Sequence, residues 1–216
     1  MLAPELADVV AYHTPLSVIQ REQGGAVTLL TPGVNVLALN ATFLPDDPSG
    51  VDLDAVREWH EGQGVPVLVA STRAVPGARE VARVQVGRFT GGVPETGVAV
   101  EQVSRLHLAA WADVLARAYG TPGWADALAR HLAPRLEGDR DAALLLAYRA
   151  GTPVGALLWR ASAPGGAAHL WGTLDAGAAG PLLDAAAGLG GPLRTTVTDG
   201  HVPLDGAQTV IYSLLE

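Results

Sequence analysis

Residues 144–197 constrain the fold of this chain more than any other stretch. Four apolar runs follow one another there with turns between them: 144–148, 154–159, 169–174 and 193–197. The first two flank a Gly151-Thr-Pro turn, which predicts a β-hairpin. The last two are separated by a glycine-rich loop, 175–180, and a short helix from Pro181. A strand, loop and helix in this order can bind an anion on backbone N–H groups.

The rest of the chain predicts further helices and strands. Helical spacing and caps indicate helices at 3–12, 52–61 (capped by Asp52), 103–118 and from Pro122 onward. A polar loop is expected at 20–25, and strands at 26–30 and 34–39 (paired as a hairpin), 65–70, 81–86, 98–103 and 209–215. The sequence therefore predicts an α/β (α+β) protein, with a mixed, mostly antiparallel sheet flanked by helices.

The two halves of the chain share an order of elements. A strand, a loop, a helix and two strands follow one another at 34–86 and again at 169–215. Val67 and Val84 are 17 residues apart, as are Leu193 and Val210. At low residue identity, both an internal repeat and a chance resemblance remain open. The glycine- and proline-rich segment 91–97 predicts a linker between a first half, 1–90, and a second domain, 98–216.

Composition excludes several classes of function. The chain has no Cys, which rules out disulfides and thiolate zinc sites, and its six His lack paired metal-ligand spacing. Its net charge is −8, without Lys or an Arg cluster, so we expect no nucleic-acid binding. No uninterrupted apolar run approaches the ~20 residues of a membrane span. Without a recognisable signal peptide, a cytoplasmic protein is expected.

Residues 146–156, Leu-Ala-Tyr-Arg-Ala-Gly-Thr-Pro-Val-Gly-Ala, and the following His169-Leu-Trp-Gly-Thr-Leu174 resemble the GNAT superfamily of acyl-CoA-dependent N-acyltransferases. Residues 98–216 cover most of that fold, and 26–89 look like a truncated second copy, as in tandem GNAT proteins. The resemblance implies that acyl-CoA lies between the fourth and fifth strands of the domain. It also implies that the pyrophosphate sits on the loop before the helix. The implied cofactor-binding residues are Leu174, Gly177, Ala178, Ala179 and Gly180.

That loop departs from the family pattern Arg/Gln-x-x-Gly-x-Gly/Ala. No Arg or Gln opens it, Leu182 replaces the last small residue, and Pro181 lacks an N–H. The span between Arg160 and Arg194 contains no Lys or Arg. Asp175 would then cap the helix and fill the anion site with a carboxylate of the chain itself.

The resemblance also suggests catalytic residues. His169 is a candidate base for the attacking amine, with a structural strand-end His as the alternative. The backbone N–H groups at Thr173 and Leu174 would polarise the thioester carbonyl. The family's frequent general-acid Tyr has no counterpart in 198–206, where His201 or Asp199 could substitute or simply form a turn. Trp111, Trp159 and Trp171 are candidates for an acceptor pocket, with the hydrophobic core as the alternative.

Two functions from different classes follow. The first is an N-acyltransferase that moves an acetyl group from acetyl-CoA to a small amine by direct attack of the amine on the thioester. The second is a non-catalytic GNAT-like module that has lost CoA binding and serves as an interaction or small-ligand-binding protein. Fold alone does not separate the two. An exposed sheet edge leaves a homodimer open.

Overall fold

The computed structural model describes residues 1–92, 95–198 and 202–215. The α-helices of this part of the chain are α1 (Pro4–His13), α2 (Leu53–Gly62), α3 (Leu108–Ala118), α4 (Ala125–Arg135) and α5 (Ala179–Gly190). Its strands are β1 (Ile19–Gln23), β2 (Ala26–Leu30), β3 (Ala41–Phe43), β4 (Leu68–Ser71), β5 (Ala78–Phe89), β6 (Val98–Val103), β7 (Ala142–Arg149), β8 (Thr152–Ser162), β9 (Gly165–Thr173), β10 (Leu193–Val197) and β11 (Leu204–Leu215). The predicted fold class, a mixed and mostly antiparallel sheet flanked by helices, is confirmed.

The chain forms two compact units, and the strands β5 and β11 each contribute residues to both. Unit 1 comprises Met1–Val86 and Gln208–Glu216, and unit 2 comprises Gly87–Ala207. The boundaries predicted from sequence stay a prediction, and residues 93 and 94 of the predicted linker lie outside the described residues. None of the described helices is long and apolar enough to cross a membrane.

Unit 1 has the strand order β1-β2-β3-β4-β11-β5. The β1–β2, β2–β3 and β4–β11 pairs are antiparallel, and the β3–β4 pair is parallel. Helix α1 buries Leu6 and Val9 in a core that includes Phe43. Helix α2 begins at the predicted cap, where Asp52 Oδ1 accepts from the N–H groups of Asp54 and Ala55 at 3.1 and 3.0 Å. It contributes Val56 to a second core cluster.

The prediction of a hairpin at 26–30 and 34–39 is wrong. Residues 19–23 pair with 26–30 through Gly24-Gly25, whose φ angles of +58° and +83° form the tight turn that twisted hairpins favour. Residues 34–40 instead form a loop with a 3₁₀ turn at Leu37–Leu39, and this loop is stabilised by Asn40. Its amide oxygen accepts from Thr31 N–H at 3.0 Å, and its amide nitrogen donates to Val34 O at 2.6 Å. A side chain there supplies the partners that a sheet ladder would otherwise provide.

Unit 2 has the order β10-β9-β8-β7-β6, in which β6 to β9 are antiparallel neighbours and β10 is parallel to β9. Helices α3 and α5 pack on opposite faces of these strands. An added Cβ at Gly172 would contact Ala118 of α3, whereas one at Gly155, opposite the next residue Thr173, would contact Leu182 of α5. The helix predicted to begin at Pro181 begins at Ala179, after a 3₁₀ turn at Ala176–Ala178.

Candidate functional site

Strands β9 and β10 pair over only part of their length. The parallel ladder joins Gly166, Ala167 and Ala168 to Leu193, Arg194 and Thr195, and no described pair follows. Strand β9 nevertheless continues to Thr173 on its partner β8. Strand β10 ends at Val197, and residues 199–201 lie outside the described residues. The unpaired side of the second half of β9, here called the β9–β10 opening, lies at the place where the resemblance implies an acyl donor.

Two side chains of β9 cross the base of this opening to Thr196. His169 is 7 % exposed, and its Nδ1 lies 2.7 Å from Thr196 Oγ1. The Trp171 indole N–H donates to Thr196 O at 2.8 Å. His169, the predicted base, is thus oriented by a hydroxyl at the point where the strands separate.

The backbone of Trp171 and Thr173 faces the opening. Leu174 N–H donates to Val154 O at 2.7 Å, so this residue directs its polar groups toward β8. In an antiparallel ladder these directions alternate, and the register pairs Thr173 with Gly155 and Trp171 with Leu157. Thr173 and Trp171 therefore direct their N–H and C=O groups away from β8, whereas the predicted N–H of Leu174 is already used in the sheet.

Tyr119, directly after α3, reaches the same strand. Its hydroxyl donates to Trp171 O at 3.1 Å, and its ring lies over Gly172, where an added Cβ would be 3.4 Å from Tyr119 Cε1. Although the residue is 40 % exposed, burial raises the pKa of its phenol above the ordinary value. The group is therefore protonated at neutral pH and acts as a hydrogen-bond donor at the opening.

Three N–H groups at the loop before α5 donate to acceptors within the loop. Gly177 N–H donates to Asp175 Oδ1 at 2.9 Å, and Ala178 N–H donates to Asp175 O at 2.9 Å. Ala179 N–H donates to Ala176 O. Pro181 has no N–H to offer. Asp175 was expected to cap the helix; it caps the 3₁₀ turn at Ala176–Ala178 instead, and α5, whose N-cap is Ala178, has no side-chain cap.

An arginine lies beside this loop, although the sequence analysis named it only as part of the hairpin motif 146–156. Arg149, at the end of β7, lies against Asp175 through its Nε and donates to Glu95 Oε1 at 3.2 Å through Nη2. It also donates to Thr96 O at 3.5 Å. The hydrogen bond with Glu95 raises the pKa of the Arg149 guanidinium above its ordinary value, and Asp175 acts in the same direction.

A second contact joins the segment before β6 to α5. Gly92 N–H donates to Asp184 Oδ1 at 3.1 Å. A Cβ added at Gly92 would lie 2.6 Å from Gly180 Cα. Gly92, the last described residue before 93 and 94, thus lies against the first half of α5.

This arrangement does not fit a pyrophosphate. The N–H groups of Gly177, Ala178 and Ala179 already have acceptors, and Arg149 is shared between two carboxylates. The helix end contributes only about half an elementary charge to attract an anion. The resemblance implies the thioester arm of an acyl donor at the opening beside β9, whereas the loop as it stands does not suit the donor's phosphates.

The three predicted pocket tryptophans do not meet in one pocket. Trp111 is 0 % exposed, and its indole N–H donates to Leu157 O at 3.1 Å, so the prediction of a pocket role is wrong for this residue. Trp159 lies across Gly166 and Gly190, where an added Cβ would meet its ring. Only Trp171 reaches the opening. Large aromatic side chains fill cores more often than ligand pockets, and two of these three follow that rule.

Arg149, Glu95 and Tyr119 are the site residues that the sequence interpretation missed. Because β7–β8 and β8–β9 are successive hairpins, the C-terminal ends of β7 and β9 lie at the same end of the sheet. Arg149 could therefore have been placed near Asp175 from the predicted strand order. Glu95 and Tyr119 carry no such signal, because each depends on how a loop or a helix end lies on the sheet. His201 and Asp199 lie outside the described residues.

The order of the strands and the helix that follows β9 give this chain a GNAT-like fold. The particular solved structures that share it include a GCN5-related N-acetyltransferase from Kribbella flavida, 17% identical, which covers 99% of this chain and 96% of its own with a TM-score of 0.64. A functionally unknown conserved protein from Staphylococcus epidermidis ATCC 12228 is 12% identical, with 89% and 92% covered and a TM-score of 0.57. A GCN5-related N-acetyltransferase from Sphaerobacter thermophilus is 15% identical, with 88% and 76% covered and a TM-score of 0.54. No protein-family model and no curated protein matches the chain.

Proposed function

We propose that this protein is an N-acetyltransferase that moves an acetyl group from acetyl-CoA to a small amine. The observation that carries the proposal is the opening between β9 and β10, toward which the backbone of Trp171 and Thr173 points. The two acetyltransferase structures with the same fold support it. When bound, the thioester supplies the activated acetyl group.

Three groups of the chain have proposed roles. Thr173 N–H is the donor to the thioester carbonyl, because it is directed away from β8. His169, oriented by Thr196, takes the proton of the attacking amine. Tyr119 is a positioning residue, because its hydroxyl holds Trp171 O beside the reacting carbonyl.

Release of free thiol from acetyl-CoA tests this function. Because the chain has no Cys, a thiol reagent reports only the released product. We expect amine-dependent thiol release by the natural protein. Thr173→Pro removes the N–H, and rate losses for one missing oxyanion donor are about 100- to 1000-fold. Thr173→Val keeps the N–H and is expected to retain the rate.

Thermal melts establish that both variants are folded before the rates are compared. Equal rates for Thr173→Pro and Thr173→Val would contradict the assigned donor. Absence of thiol release by the natural protein with a panel of primary amines would contradict the proposed function.

A second candidate is the non-catalytic GNAT-like module. One observation favours it, namely that three N–H groups at the loop before α5 already have acceptors within the loop and that Arg149 is paired with two carboxylates. A protein of this kind would bind neither acetyl-CoA nor a shorter acetyl thioester at millimolar concentration. Calorimetry with both compounds separates the two candidates.

A further inference from the structure

The space where a phosphate would approach the loop is occupied by side chains of the protein. A Cβ added at Gly177 would lie 2.9 Å from Arg149 Nη2, and 3.3 Å from both Asp175 Oδ1 and the carboxyl carbon of Glu95. A glycine in such a loop ordinarily lets a ligand come close to the backbone. At Gly177 the protein's own ion cluster has taken that room.

The cluster has the two features of an anion site, a loop N–H group and a cation, and a carboxylate of the protein itself takes the place of the anion. Asp175 accepts from a loop N–H and pairs with Arg149, which are the two kinds of contact that a phosphate oxygen would make. Glu95 occupies a second side of the same guanidinium.

The solvent exposure of these side chains limits how much the cluster contributes to the stability of the fold. The side chains of Arg149, Glu95 and Asp175 are 34%, 42% and 32% exposed. Ion pairs at this exposure contribute little to stability. Their placement over Gly177 therefore affects ligand access to the loop more than it affects folding.

We propose that Asp175 and Glu95, held on Arg149, are a built-in competitor for the pyrophosphate of the acyl donor. The protein then binds the donor through its acetylated pantetheine arm in the β9–β10 opening and draws almost no affinity from its phosphates. This inference rests on the proposed function, because it takes the opening to be the donor site.

Comparison of two ligands tests the competitor directly. Acetylpantetheine carries the same thioester arm as acetyl-CoA but lacks the pyrophosphate and the nucleotide. In calorimetric titrations of the natural protein, we expect the two dissociation constants to be similar. Glu95→Gln and Asp175→Asn should each tighten acetyl-CoA about tenfold, which corresponds to removing one unfavourable charge at a partly exposed site. Acetylpantetheine should bind all of these proteins equally.

Both substitutions preserve shape, and the amide oxygen introduced by Asp175→Asn can still accept from Gly177 N–H, so the variants are expected to fold. Asp205→Asn is the matched control, because it removes the same charge from the Arg88–Asp205 pair of the same unit. It should leave both affinities unchanged. Arg149→Gln, combined with Glu95→Gln, should cancel the gain for acetyl-CoA.

The possible failures are distinguishable. If the natural protein already binds acetyl-CoA tenfold or more tightly than acetylpantetheine, the phosphates are recognised and the competitor is refuted, while the proposed function stands. The competitor is likewise refuted if Glu95→Gln and Asp175→Asn leave acetyl-CoA affinity unchanged. If neither ligand binds any of these proteins, the proposed function itself fails.

Discussion

His60 shows at the scale of one residue how burial fixes a protonation state. It is 0 % exposed, and its Nδ1 lies 2.8 Å from Pro66 O. Because a carbonyl only accepts, Nδ1 carries the proton. In the neutral ring Nε2 then accepts from the Thr42 hydroxyl at 2.9 Å, and Thr42 accepts from Thr28 at 2.7 Å. Two threonines and one histidine thus satisfy each other inside unit 1.

This network predicts a dependence of stability on pH. Burial lowers the pKa of His60 below its ordinary 6.5. As pH falls through 6.5, His60 therefore becomes protonated in the unfolded chain while it stays neutral in the folded protein. The free energy of unfolding decreases as a result. The slope contributed by this residue is at most about 1.4 kcal/mol per pH unit, between pH 6.5 and the lower folded-state pKa.

Denaturant unfolding at pH 7, 6 and 5 measures the effect. His60→Gln should reduce the loss of stability between pH 7 and pH 5, whereas His107→Gln, at an exposed position, should not. An identical pH dependence in the natural protein and His60→Gln would refute the assignment.

Helix α2 shows at the scale of an element how much one cap contributes. Asp52→Ala removes the oxygen that accepts from two N–H groups of the first turn, and we expect a loss of about 1 kcal/mol in the free energy of unfolding. Asp54→Ala is the control, because it leaves the cap in place and removes an exposed pair with Arg57 and one first-turn carboxylate, which together should cost less than the cap. Urea unfolding compares them, and equal losses would contradict the assigned cap.

Elements with a strong local signal were predictable. Strand β6 has the predicted bounds 98–103, and the helix capped by Asp52 lies where the cap and the apolar spacing place it. The hairpin of unit 1 was displaced because its turn, Gly24-Gly25, was interpreted as part of a polar loop. The apolar run at 34–39 lacks strand partners because local turns and the Asn40 side chain share its backbone hydrogen bonds, which residue periodicity does not reveal.

The candidate site was predictable to a smaller extent. The order of strands, loop and helix placed Thr173 at the end of β9, but the helix begins two residues earlier than predicted and Asp175 caps the 3₁₀ turn before it. The ion cluster was not predicted, because it joins residues from the ends of two strands and from the segment before β6. Such contacts depend on tertiary structure, whereas a cap depends on neighbours three residues away or fewer.

At the scale of the whole molecule, similarity of fold and identity of sequence give different information. The Kribbella flavida structure covers 99% of this chain at 17% identity. Packing of an apolar core tolerates extensive substitution, so the fold persists where a cofactor loop need not. For this reason we assign the donor site from the strand opening rather than from the loop. The internal repeat of the two halves stays a prediction.

Backbone amide shifts of the labelled protein during titration with acetylpantetheine test the strand opening most directly. We predict that the N–H resonances of Trp171 and Thr173, which face away from β8, shift most along β9. Those of Gly172 and Leu174, whose polar groups face β8, should move little. Shifts confined to other parts of the protein, or none at saturating ligand, would contradict the assignment of this opening as the acyl-donor site.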